Sequence, residues 1–438
     1  MNYRHQLYPD GHSNACLSPH RNAVQKHVRV PSRSEMDKSF ILALFALNAY
    51  LWCSIIEPVY GIPKIIKYGF STAAIALLLF FSLRSKRRLS ELPECPVIIW
   101  FCVYSIFHLL LSFRPELFYV QEVFASRFYF LPYVFPLLLL AARIDAILLA
   151  KVLAVSRFML VPAIIATAFA LSMSTGEHRW SLVSAYLSMF NIFFWLLLFS
   201  AHLFQKANVS MGVLFYYVLN LLVIGVYGRR GGFSIIAIGI LFAVWHQAKS
   251  RVTSPMSKTL AIVVVCLLLV ASLFYGHRLG ELQVFQRGIS IEGFEQSRST
   301  VIEDYFDDFG GMRDWLVGRG INGTVKRTIR GGDVARGIEN GYLTILLRGG
   351  LLYLAPMLFL MLRSAYLGYF RSRNDLSRAL AIIVGLHFLN MMAFGLPDMS
   401  SSYVLVWVAI SAGLNPDLRM MDNRMVIYIF NGGSRTLS

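Results

Sequence analysis

One junction concentrates the residues that could do chemistry. It runs from Trp315 to Gly350 and reads WLVGRGINGTVKRTIRGGDVARGIENGYLTILLRGG. It ends the longest polar segment and opens an apolar run, and it holds arginines, glycines and one acid, Glu339, three residues before Tyr342. A carboxylate held at a membrane surface has the chemistry of a general base, although an acid at a helix start is also favoured by the helix dipole. Asn340 and Tyr342 flank it as candidate substrate contacts. Arg348 lies about six residues into the apolar run, where a guanidinium is costly and faces a polar cavity or a partner. It follows Glu339 by nine residues, about two and a half helical turns, so the two are expected to share a cavity rather than pair directly.

Three further arginines complete the set. Arg229 and Arg230 sit in the short turn GRRGG between two apolar runs, and Arg127 opens another run. Each could be a helix-end anchor that snorkels to lipid phosphate, or part of a clamp for an anionic group, since guanidinium binds phosphate in bidentate fashion. His178, His277 and His387 are secondary candidates. H-E-x-x-H, P-loop and G-x-S-x-G patterns are absent, and the G-x-G in GRGING follows no strand of a βαβ unit, which argues against dinucleotide binding. No pair of the five cysteines has metal-ligand spacing, so neither a disulfide nor zinc is expected.

The elements that position these residues are membrane helices. Of 438 residues 56% are hydrophobic and only 15% charged, and the mean hydropathy is +0.58. Apolar runs long enough to span a bilayer recur along the chain. The fold class is therefore an all-α polytopic membrane protein with about 12 transmembrane helices. The net charge of +17 does not indicate nucleic acid here, because basic residues flank the apolar runs and set their orientation.

The expected layout is a polar tail over 1–38, nine spans over 39–275, a loop over 276–340, three spans over 341–414 and a tail over 415–438. Lys and Arg concentrate on the side that carries both termini, most densely at Arg84, Lys86, Arg87 and Arg88, which makes that side cytoplasmic and the loop between the ninth and tenth spans external. Within the loop, Thr300 and Glu303 have capping-box spacing, and Val301, Ile302, Tyr305, Phe306 and Phe309 recur at helical intervals. An amphipathic helix resting on the membrane or the bundle is expected there. The polar stretch 114–127 is expected to lie along the interface or dip into the bilayer.

This pattern resembles the Wzy-type O-antigen and exopolysaccharide polymerases, which are related to the WaaL-type O-antigen ligases. The resemblance rests on the topology and on Arg229 or Arg230 in GRRGG, Gly318 and Gly320 in VGRGI, and Glu339 to Leu343 with Gly349 and Gly350. Those ligases carry a histidine where this chain has Glu339, a departure that points to a polymerase. The resemblance implies a metal-independent, cofactor-free glycosyltransferase of the bacterial inner membrane. Its donor and acceptor would be undecaprenyl-pyrophosphate-linked glycans on the periplasmic face, and a chain-length regulator protein would be a further partner. A flippase or secondary carrier is the rival class. It is disfavoured by the lack of an internal repeat and by spans nearly free of Asp and Glu.

Overall fold

The computed structural model describes residues 34–112, 128, 130–172, 187–200, 203, 207–226, 230–249, 299–329, 332–336, 340–393 and 395–431. The helices in chain order are α1 Ser34–Tyr60, α2 Lys64–Arg84, α3 Cys95–Ser112, α4 Phe135–Ala141, α5 Ala146–Ser172, α6 Asn191–Ser200, α7 Ala207–Val226 and α8 Arg230–Lys249. The loop contributes α9 Ser299–Asp308, α10 Met312–Val317 and a hairpin, β1 Val325–Ile329 with β2 Gly332–Arg336. Then follow α11 Gly341–Phe370, α12 Asp375–Ala393, α13 Ser401–Gly413, α14 Pro416–Arg419 and α15 Asn423–Phe430.

The apolar runs form helices because, in hydrocarbon, each backbone polar group needs a partner within its own segment. Among the described residues, six helices are long and apolar enough to cross a membrane: Asp37–Glu57, Lys64–Arg84, Cys95–Ser112, Ala146–Ser172, Gly341–Phe370 and Asp375–Met392. Five shorter apolar helices, Leu131–Ala141, Asn191–Ser200, Val209–Ile224, Gly232–Ala243 and Ser401–Gly413, coincide with further expected spans. The expected ninth span and the stretch 114–127 lie outside the described residues. The protein is thus a helical, multi-pass membrane protein.

Two boundaries and one element differ from expectation. The fifth helix starts at Ala146 rather than near Phe158, because Lys151 does not interrupt it: its ammonium meets Asp37 of α1 at 2.6 Å. The tenth span continues to Phe370, with Arg363 inside it paired to Glu94 at 2.7 Å. The loop contains an antiparallel hairpin that the helical periodicity did not suggest, in the register Val325↔Arg336 to Ile329↔Gly332. The expected loop helix does form, over Ser299–Asp308.

The centre of the molecule is where α11, α12 and α13 pack together with α3, α4 and α6. Trp407 of α13 stacks on Phe101 of α3 at 5.8 Å, and Phe101 meets Tyr353 of α11 at 4.9 Å. Polar pairs tie helices whose apolar surfaces alone give little preference in lipid. Asn220 of α7 donates to Asn191 of α6 at 2.7 Å, Tyr217 donates to the Asn191 carbonyl at 2.7 Å, and Ser401 of α13 donates to Asn48 of α1 at 2.8 Å.

Opposite the loop, the connections form a basic end. Arg87 N–H donates to the Ala141 carbonyl and Arg143 N–H to that of Ser85, which joins the end of α2 to the end of α4. The Arg87 guanidinium donates to the carbonyls of Ser411 and Leu414 at 3.1 and 2.9 Å, completing the C-terminal end of α13. Burial pulls the Arg87 guanidinium down to about 10, which still leaves it charged at neutral pH. Asn374 donates to the carbonyls of Leu418 and Met421, seating the α14 turn against the start of α12. Arg87→Ala leaves two carbonyls without their donor and is expected to destabilise the bundle by about 2–3 kcal/mol, and Arg87→Lys to restore less than half, because one ammonium cannot fork to both. Thermal unfolding of the purified protein in detergent checks this; an unchanged Tm in the alanine variant would contradict it.

Candidate functional site

The candidate site is built around a break in α11. Its first segment, Gly341–Gly349, ends at Gly350, whose backbone is non-helical at φ 66°, ψ −174°, and the helix then resumes. A break in the middle of a membrane helix frees carbonyls that need new donors. Here they come from two places. The loop segment after α10 supplies Arg319 N–H to the Leu347 carbonyl at 2.7 Å and Gly320 N–H to the Arg348 carbonyl at 3.0 Å. Helix α3 supplies His108 Nε2–H, also to the Arg348 carbonyl, at 2.6 Å, and the Tyr104 hydroxyl to the Gly349 carbonyl at 3.0 Å.

Because a carbonyl only accepts, this bond puts the neutral His108 proton on Nε2 and leaves Nδ1 facing the Ser112 hydroxyl at 3.5 Å. Ser112 in turn accepts from Ile321 N–H at 3.2 Å. Tyr104, His108 and Ser112 are spaced by four, so they form one polar stripe along α3.

Two glycines allow the close approach. Gly318 has φ +77°, and a Cβ there would fall 2.6 Å from the Arg348 carbonyl carbon and oxygen. A Cβ on Gly350, at φ +66°, would fall 2.2 Å from the Leu316 carbonyl oxygen. The two backbones therefore touch where only hydrogen fits.

The loop is held in shape from its own side. Tyr305 of α9 and Phe309 just after it are buried, and Phe309 and Phe306 pack on Trp315 of α10 at 5.1 and 5.9 Å. Arg319, next to Gly318, turns its guanidinium away from the break, to Asp308 at 2.5 Å, Asp314 at 2.8 Å and the Thr324 carbonyl at 3.0 Å. Burial pushes the Asp308 carboxyl up, but hydrogen bonds from Arg319 and from Lys326 N–H outweigh it and hold it below its usual 3.8. Asp308 is thus a charged anchor throughout the physiological range.

Arg348 itself is buried, at 8% exposure. Its Nη1 donates to the Phe128 carbonyl at 2.5 Å and meets the Tyr133 hydroxyl at 3.4 Å. Phe128 is the residue after Arg127, so Arg348 grips the backbone at the entry to the fourth span. Asn340 caps α11 by accepting from Leu343 N–H at 3.1 Å, and its amide donates to the Met392 carbonyl at 2.9 Å. Tyr342 donates to the Phe388 carbonyl at 2.5 Å. These two expected substrate contacts therefore tie the start of α11 to α12. Glu339, Arg229 and Arg127 lie outside the described residues, as do His178 and His277, and Arg230 is described only as the first residue of α8. His387 is buried beside Tyr403, ring centroids 5.9 Å apart.

Tyr104, His108, Ser112 and Arg319 were not singled out from sequence. The signal for the first three was the four-residue spacing of polar side chains within an apolar run. For Arg319, no short-range pattern pointed to Asp308 and Asp314 as its partners. Among the described residues no group of three His, Cys, Asp or Glu side chains could hold a metal ion. Compared with known proteins, the chain matches no family model, no curated protein and no solved structure.

Gly318→Ala and Gly350→Ala each combine a left-handed backbone with a backbone clash and are expected to cost more than about 3 kcal/mol or to prevent folding. Gly385→Ala, with nothing within 4 Å of the new Cβ, is expected to be neutral. Tm and monodispersity after solubilisation check this. Near-normal stability of both clash variants would mean that loop and helix do not meet there.

Proposed function

We propose that this chain is a membrane glycosyltransferase that polymerises undecaprenyl-pyrophosphate-linked oligosaccharides on the periplasmic face of the bacterial inner membrane. In this reading twelve spans place both termini in the cytoplasm and the segment 276–340 in the periplasm. The observation that carries it is Arg348: a buried guanidinium beside a break in a membrane helix, under a docked polar loop, bonded to the Phe128 backbone. A broken helix facing polar groups is a common way to build an ion or anion site at membrane depth.

In this reading the reaction is a glycosyl transfer. An acceptor sugar hydroxyl attacks the anomeric carbon of the donor glycan. The new C–O bond forms as the bond to the pyrophosphate oxygen breaks, and undecaprenyl pyrophosphate leaves with the electron pair. Glu339 takes the hydroxyl proton. Arg127, Arg229 and Arg230 stabilise the charge growing on the leaving pyrophosphate. Arg348 holds the backbone of Phe128, the residue that follows Arg127 in sequence. Asn340, which follows Glu339 in sequence, and Tyr342 fix the start of α11.

Deleting the gene in its host and restoring it with variants tests this reading. The deletion is expected to leave surface lipid capped with a single repeat. Glu339→Gln, at matched membrane levels, is expected to lower polymer by about 10²-fold or more, with partial activity in Glu339→Asp. Arg127→Ala, Arg229→Ala and Arg230→Ala are expected to lose polymer, with little rescue by Lys. Wild-type polymer in Glu339→Gln would remove the base, and loss of every repeat in the deletion would point instead to a ligase or a flippase.

A further inference from the structure

A second candidate site lies at the opposite end of the molecule. Helices α1 and α5 both start at the basic end and pack side by side, leaving a groove of about 670 Å³ between them. Its walls are apolar, among them Leu42, Phe45, Ala154 and Phe158, while Lys38 and Lys151 form its rim. The two helices run in parallel register here. Phe45 lies seven residues beyond Lys38 and Phe158 seven beyond Lys151, so both phenylalanines sit about 10 Å deeper than the lysines. Their rings meet edge-on at 6.0 Å and form the floor. Leu42 and Phe158 are 55% and 66% exposed, so the groove opens sideways to lipid rather than into the bundle.

The rim carries excess positive charge. Lys151 is balanced by Asp37, which is 4% exposed and bonds it at 2.6 Å, whereas Lys38 is exposed. Residues 1–33, which precede α1 in sequence, include five Lys or Arg and a single Asp, a composition too polar and of the wrong sign to fill an apolar groove under a basic rim. The level of the rim is marked independently by α15. This amphipathic helix packs on α5, buries Val426 and exposes Met425 and Tyr428, as a helix lying in the headgroup plane does.

We infer that the α1–α5 groove is a binding site for an anionic glycerophospholipid of the leaflet at the basic end, with the phosphate headgroup on Lys38 and Lys151 and an acyl chain over Phe45 and Phe158. An anionic headgroup complements the rim, and the apolar floor at acyl depth distinguishes the site from a surface that attracts charge alone. The site is separate from the α11 break and does not depend on the activity proposed above.

Native mass spectrometry of the purified full chain, delipidated and titrated with phosphatidylglycerol or phosphatidylcholine, tests the assignment. Two variants separate its parts. Lys38→Glu reverses the free rim charge, and Ala154→Trp fills the groove at an exposed position without changing charge. Wild type is expected to hold phosphatidylglycerol on the order of tenfold more tightly than phosphatidylcholine, and each variant to lose a similar factor for phosphatidylglycerol. Equal retention of the two lipids by wild type would overturn the site. So would phosphatidylglycerol binding that is unchanged in both variants. Loss in Lys38→Glu with normal binding in Ala154→Trp would show headgroup attraction at the surface without a groove and would also reject it. Loss in Ala154→Trp alone would show an apolar groove with no headgroup recognition, which overturns the site as well.

Discussion

The need to satisfy the carbonyls freed at Gly350 organises this molecule. An unpartnered buried carbonyl costs about 1–3 kcal/mol, and more in hydrocarbon. Three successive carbonyls, Leu347, Arg348 and Gly349, are relieved here by four donors, two from the loop backbone and two from α3. Without the loop, the break would be left short of donors. Without the break, the loop amides would have no acceptors at that depth. The segment after α10 and the helix bundle therefore stabilise one another, and Arg348 is held at the point where they meet.

That coupling explains the distribution of charge in the loop. Arg319 contributes its N–H to the break and its guanidinium to Asp308 and Asp314, so a single residue joins the loop's internal scaffold to α11. Aromatic packing of Phe309 and Phe306 on Trp315 holds α9 against α10 and presents the Gly318 turn in one orientation. At the far end, Arg87 and Asn374 play a comparable part by completing helix ends that would otherwise expose carbonyls.

Much of the fold was legible because its dominant signal is local. Apolar runs of bilayer length marked the described helices, and the repeat of Tyr305, Phe306 and Phe309 marked α9. Boundaries failed where a charge inside a helix had a distant partner, as with Lys151 and Asp37 or Arg363 and Glu94, since sequence shows the cost of a charge but not its compensation. The same limit applied at the site. Arg348 stood out by its depth and Gly349–Gly350 by composition, yet the docking of Gly318 onto Gly350 joins positions about thirty residues apart. The polar stripe of α3 was visible as a spacing, but its meaning depended on a helix break more than two hundred residues away.

Amide hydrogen exchange at Arg319 and Gly320 measures directly whether the loop backbone completes the break in α11. In the intact protein in lipid nanodiscs, these two amides are expected to exchange as slowly as the interior of α11 and at least about 10³-fold more slowly than an unbonded loop amide. Exchange at the rate of an open loop, with α11 itself protected, would contradict the account.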